Sequence, residues 1–237
     1  MTVVTGGKSV YGATLGILML EARFPRIPGD MGNALTFPFP VQYRVVREAS
    51  PDRVVRHRGE GLLEAFVAAA RDLAAHGVDG ITTNCGFLSL FQEELAAAVA
   101  LPVATSSLMQ VAMVNRTLPP GRRAGVLTIS ASTLTPEHLE KAGVPADTPI
   151  GTTEGGQEFT AAILDNRLTL DVDKARADNV AAARDLCAAH PDIGAIVLEC
   201  TNMTPYAADI RAATGMPVYS ILNFVTWFQA SLSPQVF

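Results

Sequence analysis

The heptapeptide VAAARDL occurs twice in the chain, at Val67–Leu73 and again at Val180–Leu186. Alanine-rich helices can coincide by composition, so the weight falls on the residues beyond each copy. After the first comes GVDGITTNCGF (Gly77–Phe87), and after the second DIGAIVLECTN (Asp192–Asn202). Each contains a short apolar, β-leaning run closing on a cysteine, Cys85 in one and Cys200 in the other. Seventeen residues beyond each cysteine stands a Pro-Val pair, Pro102-Val103 and Pro217-Val218. Working backwards, LGILML (Leu15–Leu20) and AGVLTIS (Ala124–Ser130) are apolar runs placed to open each copy. The chain therefore reads as an internal duplication in which the two cysteines are equivalent positions.

Each copy reads strand, loop, helix, strand ending in cysteine, helix, Pro-Val strand, helix. That alternation predicts an α/β fold of two pseudo-symmetric three-layer halves, each with a mostly parallel sheet covered on both faces. TPEHLEKAG (Thr135–Gly143) carries helix punctuation: a threonine cap, a first-turn proline, an early glutamate and a closing glycine. FLSLFQEELAAAVALP (Phe87–Pro102) has apolar residues at helical spacing and predicts a helix that stops before Pro102. The Pro/Gly turn TLPPGRRAG (Thr117–Gly125) marks the join. It gives a first half, residues 1–118, carrying Cys85, and a second, residues 119–237, carrying Cys200, whose C-terminal segment can pack back on the first. RFPRIPGDMGNALTFPFPVQY (Arg23–Tyr43) is rich in proline and aromatics and reads as a long irregular loop, of the kind that covers an active site or packs down on the surface.

Composition narrows the function. Among 237 residues, 49% are apolar and 17% charged, as expected of a well-buried globular protein. With 18 basic and 23 acidic residues, and no basic stripe, nucleic acid and anionic membranes are excluded as main partners. No apolar run reaches the roughly 18 residues of a membrane span, and YGATLGILML (Tyr11–Leu20) reads as the first strand. Three cysteines, Cys85, Cys187 and Cys200, form no disulfide framework and indicate a reducing, cytoplasmic setting. Cys187, inside the repeat helix, is assigned to packing. TGGKS (Thr5–Ser9) lacks the first glycine of a phosphate loop. The four histidines show no metal-ligand spacing, so no metal site is predicted.

In open parallel sheets, ligands bind outside the carboxyl ends of the strands, where Cys85 and Cys200 both stand. A following helix N-terminus favours a thiolate and can hold a substrate carboxylate. If the two halves face each other, the sulfurs enter one cleft from opposite sides. One thiolate can then remove a proton from one face of a carbon while the other thiol protonates the opposite face. Asn84, Gly86, Thr201 and Asn202 flank the sulfurs and can supply donors for the developing charge. No cofactor is needed for that chemistry.

Two α/β halves, each with a strand-end cysteine and the second in a Cys-Thr context, resemble the aspartate/glutamate racemase superfamily. This group also includes hydantoin racemases, maleate cis-trans isomerases and arylmalonate decarboxylases. The resemblance spans essentially the whole chain and implies an active site between the halves. It implies that Cys85 and Cys200 are the catalytic pair, and that Asn84, Thr201 and Asn202 lie near a substrate carboxylate. It also brings the loop after the strand opening the second half, with Ser130 and Ser132, towards the substrate. The activity so implied is a cofactor-independent racemase or epimerase acting beside a carboxylate or carbonyl of an amino acid or derivative. A maleate-type isomerase with one covalent cysteine, or a small-acid binding protein without turnover, are the alternatives. A homo-oligomer is the default expectation. Retention of both cysteines departs from the decarboxylases. Glu199 departs from the amino-acid racemases, which usually have glycine before the second cysteine, and Asn202 stands where their assisting His or Glu would be.

Overall fold

The computed structural model describes residues 3–234 and arranges them around two four-stranded parallel sheets. The first sheet joins β1 (Leu15–Leu20), β2 (Val41–Val46), β3 (Gly80–Thr83) and β4 (Val103–Ala104) in the order β2-β1-β3-β4. The second joins β5 (Arg123–Thr128), β6 (Ile150–Thr152), β7 (Ile193–Leu198) and β8 (Val218–Tyr219) in the order β6-β5-β7-β8. The two topologies are the same, as a duplicated chain requires. Around the first sheet run α1 (Pro51–Val55), α2 (Leu63–Ala75), α3 (Gln92–Ala98) and α4 (Val111–Thr117). The second half adds α5 (Pro136–Lys141), α6 (Phe159–Leu164), α7 (Val172–Ala189), α8 (Ala207–Thr214) and α9 (Ile221–Leu232).

The repeated heptapeptide lies in α2 and α7, and its closing leucine explains the register of both. A Cβ at Gly16 in β1 would lie 2.9 Å from Leu73, and one at Gly151 in β6 would lie 2.8 Å from Leu186. Gly125 in β5, the counterpart of Gly16, also lies under Leu186, at 3.3 Å. Each sheet thus offers a glycine floor to the last leucine of its helix, and a larger residue would push the helix away. All six residues of β1 are buried, which fits a central strand covered on both faces.

The last helix crosses between the halves. Ile221, Phe224, Val225 and Phe228 of α9 bury against Leu15, Ile17 and Met19 of β1, together with Met31 and Phe37 of the proline-rich loop. That loop is packed down, with the Tyr43 hydroxyl donating to Met31 O at 3.0 Å. Its last residues, Val41–Tyr43, are not irregular but open β2, paired with Leu15–Ile17 of β1. The predicted helix from Phe87 is also divided: Gly86–Phe91 is a 3₁₀ turn, and α3 begins at Gln92. Gly86 through Leu90 are all buried, a demand that an amphipathic α-helix with one solvent face does not meet.

Side chains bind the halves together. Ser107 Oγ donates to Leu198 O at 2.5 Å, Gln110 Nε2 to Ser220 O at 3.1 Å and Ser89 Oγ to His138 O at 3.1 Å. Among the described residues, no helix is long and apolar enough to cross a membrane.

Candidate active site

Cys85 follows the last residue of β3 by two positions, and Cys200 follows β7 by the same interval. Each is the residue before a 3₁₀ turn, Gly86–Phe91 in one half and Thr201–Tyr206 in the other. Both cysteines are buried and free, and both line one cavity with Asn84, Gly86, Glu199, Thr201 and Asn202. Thr201 Oγ1 donates to Asn84 O at 2.6 Å, so the two cysteine loops are bonded to each other directly.

The residue before each cysteine has one structural duty in common. Asn84 Oδ1 accepts the Leu20 N–H at 2.8 Å, at the end of β1. The Glu199 carboxyl stands near the Ile129 N–H, in the matching place after β5, and accepts Thr128 Oγ1–H at 2.7 Å. Glu199 is wholly buried, and its Oε1 has no hydrogen-bond partner. Burial raises its pKa to about 7, against the opposing pull of the Thr128 and Ile129 donors. A Cβ at Gly86 would fall 2.2 Å from that same Oε1, so only glycine fits between Cys85 and the carboxyl.

The thiols are held in their neutral form in this closed state. Burial, then the charge of Glu199, pushes Cys85 up to about 12, while the Phe87 and Leu88 N–H groups and Arg26 pull it down. Burial, then the charge of Glu199, also raises Cys200 well above its ordinary value, and Asp30 adds to the effect. Cys200 Sγ lies 3.6 Å from Asn202 Oδ1, to which its thiol donates. The Asn202 amide is oriented by donating Nδ2–H to Asp30 Oδ2 at 2.5 Å, and Asp30 Oδ1 pairs with Arg26 Nη1 at 2.7 Å. A polar chain, Arg26–Asp30–Asn202–Cys200, therefore links the proline-rich loop to one sulfur.

Apolar side chains complete the walls: Leu20 and Phe24, Pro51 and Val55 of α1, Ile129, and Ile163 and Leu164 of α6. The space open to water centres is only about 20 Å³, near the volume that admits one water. A substrate of several heavy atoms enters only if the walls part. At the rim, Asn166 Oδ1 accepts the Arg23 N–H at 2.6 Å and the Phe24 N–H at 3.3 Å, tying the loop to the end of α6.

The structure thus brings Cys85, Cys200, Asn84, Gly86, Thr201 and Asn202 to one cavity. Ser130 and Ser132 do not line it. Their hydroxyls turn to Glu154 Oε1, at 2.6 and 2.5 Å, and the neighbouring Ile129 faces the cavity in their place. Arg26, Asp30 and the apolar wall carry no sequence signal of their own; Phe24, Arg26 and Asp30 lie in the loop whose composition fitted either an active-site cover or a packed-down surface segment. Among the described residues, no group of three or more His, Cys, Asp or Glu side chains is disposed to hold a metal ion.

No family model matches the chain. A dimethylsulfoniopropionate lyase from Durusdinium sp. clade D is 30% identical over 235 residues, covering 93% of this chain and 75% of that protein. Dimethylsulfoniopropionate lyase 7 of Emiliania huxleyi is 29% identical over 230 residues, covering 92% and 67%. Among solved structures, a cysteine-for-glycine mutant of arylmalonate decarboxylase superposes with a TM-score of 0.61 at 18% identity, covering 92% of each chain. Glutamate racemase from Bacillus anthracis gives 0.59 at 17% identity, covering 92% and 82%. Likeness at such identities carries the fold alone, and the sequence relatives are named as lyases, so the isomerase activity implied by family resemblance does not transfer to this chain. With the fold of the aspartate/glutamate racemase superfamily and a relative at this identity and coverage, the chain belongs to the family of the dimethylsulfoniopropionate lyases.

Proposed function

We propose that this protein is a cofactor-independent lyase acting on dimethylsulfoniopropionate or a close β-sulfonio carboxylate. The observation that carries the reading is the meeting of Cys85 and Cys200 in one buried, apolar-walled cavity, in a chain related to lyases of that name. A thiolate removes a proton from the carbon beside the carboxylate. The electron pair forms the carbon–carbon double bond, the carbon–sulfur bond breaks towards sulfur, and neutral dimethyl sulfide and acrylate are left. The proton remains on the thiol until it passes to solvent.

The surroundings suit each demand of that step. Charge developing on the carboxylate is met by preorganised donors at the two strand ends. Asn84 engages its carbonyl oxygen with Leu20, which leaves its amide N–H groups for the substrate. Phe24, Val55, Ile163 and Leu164 offer an apolar surface to the methyl groups on sulfur. No lysine or arginine is among the lining residues, and the buried Glu199 is a counter-charge for a sulfonium.

A second reading has its own support, since a thiol at each of two strand ends also fits proton exchange on opposite faces of an amino-acid carbon. One experiment separates the two. The protein is incubated in deuterated water with dimethylsulfoniopropionate or with amino acids, and volatile sulfide, acrylate and exchange at the carbon beside the carboxylate are followed. Equal release of dimethyl sulfide and acrylate, lost in Cys85→Ala and Cys200→Ala, is the expected result. Exchange into an amino acid without sulfide release would replace the lyase by a racemase.

A further inference from the structure

The two halves solve the same local problem with different chemistry. At the residue before each cysteine, a side-chain oxygen meets the N–H at the end of the first strand: Asn84 accepts Leu20 N–H, and the Glu199 carboxyl stands near Ile129 N–H. A neutral amide is sufficient in the first half. The acid in the second half therefore exceeds what the fold requires. It is wholly buried, and one of its oxygens has no partner and lies against Gly86, beside Cys85, while Cys200 is its neighbour in the chain.

We infer that the Glu199 carboxylate accepts the proton of a Cys85 or Cys200 thiol, so generating the thiolate, and then releases that proton to solvent. The transfer is balanced: S–H and COO⁻ become S⁻ and COOH, and the cavity holds one negative charge before and after. Ionising a thiol directly to solvent while Glu199 is charged would place two negative charges in one apolar space. After the thiolate has taken the substrate proton, the site holds S–H and COOH. A carboxyl titrating near neutral pH returns its proton to solvent readily, whereas a thiol displaced to about 12 does not. The charged and titratable groups around the carboxyl are Cys85 after β3 and Cys200 after β7. Across the cavity, Asp30 acts on Cys200 and Arg26 on Cys85. Thr128 on β5 supplies the hydroxyl that favours the ionised acid.

This role rests on the thiol-base reading of the site, yet its test needs no substrate. Iodoacetamide labelling of each cysteine is followed by mass spectrometry from pH 5 to 9, with Cys187, which lies outside the cavity, as the control within the molecule. In the native protein the labelling of the site cysteines rises about tenfold per pH unit and levels off above about pH 7, as Glu199 ionises. In Glu199→Gln the plateau disappears and labelling continues to climb towards pH 9. Thr128→Val, which removes a donor to the ionised carboxyl, moves the break upwards and serves if the first variant folds poorly. A break near pH 7 that survives in Glu199→Gln and does not move in Thr128→Val overturns the inference. If the sulfonium substrate is turned over, Glu199→Gln lowers kcat about 100-fold at pH 7 with KM changed less than about threefold. An absence of turnover in the native protein would instead count against the substrate, leaving the labelling result to decide the role of Glu199.

Discussion

Thr201, the residue after Cys200, donates its hydroxyl hydrogen to the carbonyl of Asn84, the residue before Cys85, at 2.6 Å. This bond spans the two halves at the point where the sulfurs enter the cavity. Thr201→Val keeps the shape of the side chain but leaves a buried carbonyl without its donor, at a cost of about 1–3 kcal/mol. Denaturant unfolding is expected to show that loss together with reduced turnover, while Thr201→Ser restores both. Native stability in the valine variant would mean that the two loops are held by packing alone.

Glu199 makes stability depend on pH with a sign opposite to that of a salt-bridged acid. Its folded pKa is raised from 4.5 to about 7, so the native state holds a proton that the unfolded chain releases. The stabilising contribution is complete below about 4.5 and is lost as pH rises through 7. The full loss is roughly 3 kcal/mol. Glu199→Gln carries no ionisation cost, so its stability relative to the native protein should rise between pH 4.5 and 7.5. Melting curves of both proteins across that range measure it, and a constant difference would contradict the assignment.

Asp30 holds Arg26 on one side and Asn202 on the other. Asp30→Ala leaves a largely buried guanidinium without its counter-charge, with an expected loss of about 3–5 kcal/mol. Because Asp30 also raises the Cys200 thiol, its removal lowers the pKa of Cys200. Labelling of Cys200 should therefore accelerate more than that of Cys85, a comparison that peptide mass spectrometry makes directly.

Asn166 adopts a left-handed backbone, with φ of 55°, and fastens the loop at Arg23 and Phe24. Asn166→Gly preserves that conformation and removes only the carboxamide. Faster cleavage of the loop by protease, and faster thiol labelling at both site cysteines, are the expected outcomes. Unchanged rates would show that the cavity opens elsewhere.

Much of this arrangement was legible because duplication writes the same instructions twice. VAAARDL, the strand-end cysteines and the Pro-Val pairs located α2 with α7, β3 with β7 and β4 with β8. Local patterns did not carry what depends on distant partners. Ser130 and Ser132 follow a strand end as a substrate loop would, yet Glu154, 24 and 22 residues away, claims their hydroxyls. Arg26 and Asp30 gave no periodic signal because their duties are set by Asn202 and the thiols, across 172 residues in the case of Asp30. The 3₁₀ turn at Gly86–Phe91 replaced an α-helix because both halves bury it. That constraint exists only once the halves are assembled.

The mismatch between Asn84 and Glu199 also bears on handedness. Two thiols in matching surroundings would treat the two hydrogens on a methylene carbon alike. An acid standing in one half where the other half has an amide breaks that equivalence, since Glu199 approaches Cys200 along the chain and Cys85 across Gly86. Elimination from a substrate carrying deuterium at only the pro-R or only the pro-S position should then retain the label in one case and lose it in the other. Divergence at this one pair of positions removes the equivalence of the two faces that duplication alone would give.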